Sequence, residues 1–153
     1  MRLIAVAALL LAFNAFAVEF TTTTFRHTDT GMDGFSRNYY SCDFAESALE
    51  SHLEKLGATN ISVNCSGGIE QGWGMWPVNL TARFDVPSAT AENHTRSENT
   101  RVSSRSFGNS SCNFHTKLLN KLLPLFTNVS VNSERTSCMN NDSRWSYDVT
   151  VFQ

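Results

Sequence analysis

The chain has 153 residues, with twelve Lys and Arg against fourteen Asp and Glu, and a net charge of −2. That length suits one domain with a core of its own. The slightly acidic balance, with no basic stripe, excludes the electrostatic footprint of a nucleic-acid binder.

Residues 1–17 read as a secretory signal. Arg2 supplies the positive end, an apolar stretch runs from Leu3 to Phe13, and Ala15-Phe16-Ala17 is a small-x-small cleavage site. The apolar run falls short of the ~20 residues a bilayer crossing needs. No cysteine follows it to take a lipid, and no later segment is apolar enough to be a transmembrane segment. Cleavage before Val18 removes seventeen residues and the Arg2 charge, leaving 136 residues and a net charge of −3. The expected product is exported, periplasmic or secreted.

Within 18–153, the threonine-rich 20–25 segment reads as a leading strand, and Gly31 and Gly34 mark a loop over 31–37. Asp43-Phe44-Ala45-Glu46 has the form of a capping box opening a helix. Ala45, Ala48, Leu49, Leu53 and Leu56 share one face of it, and Gly57 suits its end. Asn60, Ser62 and Asn64 then alternate with Ile61, Val63 and Cys65, and Val78, Leu80, Ala82 and Phe84 with Asn79, Thr81 and Arg83. These are strands with one packed and one wet face.

A polar linker over 87–99 follows, and the order recurs. A strand is predicted over 100–107 and a helix from about Asn113, with Phe114, Leu118 and Leu122 inward and Pro124 as its stop. Val129 and Val131 are expected to point inward on the next strand, and Tyr147, Val149 and Val151 on the last. Ser41-Cys42-Asp43-Phe44 matches Ser111-Cys112-Asn113-Phe114, Thr59-Asn60-Ile61-Ser62-Val63-Asn64 matches Thr127-Asn128-Val129-Ser130-Val131-Asn132, and Trp76 aligns with Trp145. The chain is therefore read as an internal duplication, with copies over 18–86 and 100–153. The fold class is α+β: two β-α-β-β repeats forming an antiparallel sheet with both helices packed on one face.

Four cysteines in an exported chain imply two disulfides. A helix of about fourteen residues rises ~21 Å. A strand returning antiparallel at ~3.3 Å per residue brings Cys65 back beside Cys42. The same argument pairs Cys112 with Cys138, where the hairpin must bend back. Neither Cys-x-x-Cys redox spacing nor zinc-ligand spacing occurs.

Tyr39-Tyr40-Ser41-Cys42-Asp43, Leu56-Gly57-Ala58 and Cys65-Ser66-Gly67-Gly68 together resemble a pattern of small uncharacterised exported bacterial proteins. The resemblance covers mainly the first copy. It implies the bacterial envelope and brings no activity with it.

Seven Asn-x-Ser/Thr patterns occur, of which Asn60, Asn64, Asn79 and Asn128 fall in strand patterns and read as a solvated sheet face. His27, His52, His94 and His115 read as scattered exposed residues. Soft ligands for copper would include Met32, Met75 and Met139, but no spacing gathers them, so no metal or cofactor is expected. No Gly-x-Ser-x-Gly or phosphate loop appears, so the chain is not read as an enzyme. Trp76 and Trp145 are expected in the core. Trp73 and Met75, in the Gly-punctuated 71–77 loop, are the candidate partner-binding residues. The sequence thus describes a small disulfide-stapled binding or interaction protein of the bacterial envelope. The alternatives are a structural or assembly component and, third, a hydrolytic enzyme.

Overall fold

The computed structural model describes residues 18–30, 32–33, 36–37, 39–69, 75–90, 92–94, 96–106, 109–138 and 143–153. The expected signal over residues 1–17, Trp73 and Met139 lie outside the described residues. The first copy contains β1 (Phe20–Asp29), the short pair β2 (Met32–Asp33) and β3 (Ser36–Arg37), α1 (Cys42–Lys55), β4 (Thr59–Ile69) and β5 (Met75–Pro87). The second contains β6 (Ser97–Ser106), α2 (Asn109–Leu122) with a 3-10 turn at Leu123–Leu125, β7 (Val129–Ser137) and β8 (Ser143–Phe152).

The α+β class and the two β-α-β-β units are present, and each copy closes an antiparallel sheet of its own. The strand orders are β1-β5-β4 and β6-β8-β7. The last strand of each copy sits between its two partners, so both of its edges are satisfied within the copy. The helices join the copies instead. α1 lies on β4 and β5 and reaches β6, while α2 lies on β8 and β6 and reaches β1. One core results, in which Leu49, Leu53 and Phe84 of the first copy pack with Phe114, Leu118 and Tyr147 of the second. Tyr40 and Phe114 meet at 4.6 Å between ring centroids, and Phe84 stacks on Phe126 at 5.7 Å.

Local chemistry explains the helix ends. Ser41, not Asp43, is the N-cap of α1: its Oγ accepts from the Phe44 N–H at 3.3 Å. Asp43 instead lies in the first turn, where its charge complements the exposed N–H groups. At the far end Gly57 has φ +85°, its N–H donates to the Glu54 carbonyl, and the Ala58 N–H donates to the Leu53 carbonyl, both at 3.0 Å. That pattern requires a left-handed residue. α2 starts a turn earlier than Asn113, so Cys112 sits inside its first turns.

The cystines lie within the copies: Cys42 is joined to Cys65 and Cys112 to Cys138, each with Cα atoms 5.5 Å apart. Beyond Cys65 the strand bulges. Gly67 and Gly68 both have positive φ, and a Cβ on Gly68 would lie 2.6 Å from the Tyr40 carbonyl oxygen. The Cys65-Ser66-Gly67-Gly68 motif is thus where β4 passes beneath the chain entering α1.

Two sequence expectations change. Val131 is 46% exposed, on an edge strand whose register shifts just after it, while Val129 is half-buried and packs against the core. Asn128 belongs to the core, not to a wet face. It is fully buried, and its Nδ2 donates to the carbonyls of Leu56 (3.3 Å) and Phe152 (3.4 Å). A glycan has no room there, whereas Asn60, Asn64 and Asn79 are exposed.

Candidate functional site

α1 carries Phe44, Ala48, His52 and Lys55 along one side at helical spacing, and this side faces β6 and β8 across a crevice of about 410 Å3. Ser103 of β6, Trp145 of β8 and His115 of α2 complete its lining, so both copies build it. Ligand sites fall in this size range and often sit between structural units.

The floor is a cluster of rings. His52 Nε2 and His115 Nδ1 share a hydrogen bond of 2.9 Å. His115 stacks on Trp145 at 4.8 Å and 25°, while His52 meets Trp145 edge-on at 5.3 Å and 82°. Phe44 closes the side, edge-on to His115 at 5.6 Å. Burial pushes the His52 pKa down to about 3, helped by His115 and Lys55. Burial likewise lowers His115 to about 4, with Lys55 adding to it. Both imidazoles are therefore neutral near pH 7. Each is a poor proton acceptor there, but either can donate or accept a hydrogen bond according to tautomer.

Two nitrogens in this floor, His52 Nδ1 and Trp145 Nε1, are buried with no hydrogen-bond partner in the protein. A buried polar atom left unpaired costs roughly 1–3 kcal/mol. Two in one cluster call for an explanation.

The corresponding junction between α2 and β1 is built differently. His27 and Asp29 of β1 are buried there, at 4% and 5% exposure. Lys121 Nζ lies 3.2 Å from His27 Nδ1, Lys117 Nζ 3.6 Å from Asp29 Oδ2, and His27 Nε2 3.8 Å from the same oxygen. A lysine ammonium has no lone pair, so His27 Nδ1 accepts, which directs the N–H of a neutral ring toward Asp29. This junction packs charged groups around His27, whose Nε2 is likewise buried without a hydrogen bond.

The histidines are thus not exposed and scattered, as their sequence positions suggest. His52 and His115 meet, His27 joins the lysines, and only His94 stands apart, at Thr90 and Phe152. The missed signal was helical phase: His52 falls among Ala48, Leu49 and Leu56 on the apolar face, and His115 follows Phe114.

Trp145 is 2% exposed, but Trp76 is 63% exposed and not in the core. The pairing explains why. Val63 lies opposite Ala82 and Val131 opposite Val149. Counting back along each strand, Trp145 corresponds to Val78, and Trp76 to Ser143. Trp76 is therefore one inward position too far out, past the covered part of the sheet. Met75 is the first residue of β5, opposite Ile69, next to Trp76. Ile69 is itself 50% exposed.

Among the described residues, no three His, Cys, Asp or Glu side chains are placed to hold a metal ion, and no helix is long and apolar enough to cross a membrane. Compared with protein-family models, curated proteins and solved structures, the chain finds no match in any of the three.

Proposed function

We propose that this is an exported, non-catalytic binding protein that takes a small planar ligand into the crevice between α1 and the second sheet. One observation carries the reading: the crevice lies over a ring cluster holding two buried, unpartnered nitrogens. A ligand ring slipping beside His115, with a small displacement of Phe44, would meet aromatic faces, the His52 and Trp145 nitrogens, and the Lys55 ammonium at the mouth. Those groups suit a heteroaromatic ring bearing a carboxylate. The neutral imidazoles argue against acid–base catalysis near pH 7, where a working group would have its pKa close to the ambient pH. Two cystines favour an oxidising compartment, consistent with cleavage before Val18 and a periplasmic or secreted location.

Indole-3-acetate serves as the probe. Its addition should shift the Trp145 indole N–H resonance, assigned with Trp145→Phe, and the shift should vanish in Ser51→Trp, which fills the crevice mouth. No shift in the wild-type protein, or a shift persisting in the plugged variant, would rule the reading out. Intact-mass measurement of the exported protein tests the cleavage: a mass retaining residues 1–17 would remove the export argument.

A second reading has its own support. Ile69 and Trp76 expose apolar surface at the β4–β5 hairpin end, where β5 begins at Met75. Exposed aromatic groups at a hairpin tip suit a protein partner. Crosslinking through a photoreactive residue at Trp76 in envelope extract tests it. Failure to trap any protein would rule this second reading out.

A further inference from the structure

The outer face of the second sheet, turned away from the helices, concentrates positive charge in a chain whose net charge is −2. Arg101 of β6, Arg144 of β8 and Arg135 of β7 all fall on this face by strand alternation, three of the chain's nine arginines. Between the arginines stand short side chains. Ser103 and Arg135 flank Ser146, and Ser137 flanks Arg144 on its other side. Short serines beside long arginines leave a hollow of about 760 Å3, lined by Arg101, Arg135, Arg144 and these serines.

Two acidic groups stand nearby, and one of them is bridged to an arginine of this face. Asp148 accepts from Ser133 Oγ at 2.7 Å and pairs with Arg101 at 3.2 Å. Glu134, on the hollow's rim, accepts from the Tyr147 hydroxyl at 3.0 Å. The first sheet's outer face offers no such field. There Thr22 and Asn60 both donate to Asp85, at 2.6 and 2.7 Å, and Thr28 donates to Asn79 at 2.9 Å.

We propose that this hollow binds a soluble, polyhydroxylated ligand carrying two or more phosphate or sulfate groups. Guanidinium forks match such oxyanions in shape and charge. The arginines sit on three adjacent strands spaced ~4.8 Å apart, so the anionic groups they hold are spread over ~10 Å. The serine hydroxyls between them match ligand hydroxyls. A hollow of this depth encloses a sugar-sized molecule, whereas a bilayer presents a flat surface. The hollow shares Ser103 and Trp145 with the crevice, while its arginines belong to it alone.

The test uses inositol hexakisphosphate as the soluble probe, titrated calorimetrically into the whole mature protein. One molecule should bind per chain, and raising the salt should weaken binding through screening. Arg135→Ser/Arg144→Ser, an exposed pair, should lower affinity at least tenfold, and Arg135→Ser alone should lower it less. Arg26→Ser/Arg83→Ser on the first sheet should leave it unchanged. The proposal is overturned if the wild-type protein does not bind the probe, or if the first-sheet variant loses as much. It is equally overturned if phosphatidic-acid vesicles or a single-stranded oligonucleotide bind more tightly than the probe.

Discussion

Each helix meets the leading strand of the other copy, and the two meetings differ. Where α2 crosses β1, His27, Asp29, Lys117 and Lys121 fill the space with interlocked charge. Where α1 crosses β6, the space is a crevice over rings. The register shows how the difference arose. His27 lies opposite Leu80 and Val102 opposite Tyr147, so Val102 stands where the first copy has His27. Counting from the helix cysteines, His52 corresponds to Leu122 and His115 to Ala45. Duplication thus supplied two equivalent frames. The chemistry diverged at the cross-copy junctions, where a substitution in one copy is felt by the other.

The largest expected effect breaks that comparison at its centre. Trp145→Ala should destabilise by about 3–5 kcal/mol, the cost of emptying a buried large aromatic site. The corresponding Val78→Ala removes two methyl groups and should cost about 2 kcal/mol. Urea unfolding of both variants measures the contrast. Equal losses would mean that the two junctions are packed alike.

The covalent frame should show no such asymmetry. The cystines span 23 and 26 residues, so their loop-closure contributions are nearly equal, roughly 3 kcal/mol each on the chain-entropy model. Cys42→Ala/Cys65→Ala and Cys112→Ala/Cys138→Ala should therefore lower stability by similar amounts. A difference above about 1.5 kcal/mol would show that one copy carries the stability of both.

Acid should act on the crevice. His52 and His115 have folded pKa values of about 3 and 4, below the ordinary 6.5, so the unfolded chain takes up protons first as pH falls. Their contribution is whole above pH 6.5 and is lost as pH falls from there toward 4 and 3. The slope is about 1.4 kcal/mol per pH unit for each histidine inside that window. His52→Leu, which restores the residue type found at Leu122, should flatten the fall in melting temperature between pH 6.5 and 4. An unchanged slope in that variant would show that the pair is not what titrates.

Much of this fold was legible and most of the site was not, for a common physical reason. Alternation in β5 and helical phase in α1 are local, so Val78 to Phe84 and Leu49 to Leu56 declared their faces directly. The division into two sheets depends on which edges the helices cover, and β7 misled at Val131, which alternates like a core residue on an edge strand and is 46% exposed. The His52–His115 bond joins residues from different copies, and no local pattern encodes it. The tryptophan alignment failed through spacing. Val63 pairs with Ala82 but Val131 with Val149, so the two hairpins differ in length and similar sequence around Trp76 and Trp145 does not mean equivalent position.

That displaced tryptophan gives the smallest expected effect on stability. Trp76 is 63% exposed, opposite Gly68, at the end of a strand whose inward residues begin at Val78. Truncating a side chain that buries so little should change stability by no more than about 0.5 kcal/mol. Trp76→Ala should therefore unfold at nearly the same urea concentration as the wild-type protein, in contrast to Trp145→Ala. A large exposed ring that contributes little to folding is retained against its tendency to promote association. If the hairpin end docks a protein, Trp76→Ala should abolish capture through a photoreactive residue placed at the neighbouring Ile69, while leaving the crevice's response to indole-3-acetate intact. A loss of several kcal/mol would instead place the ring in a packing role, and the hairpin end would no longer be available to a partner.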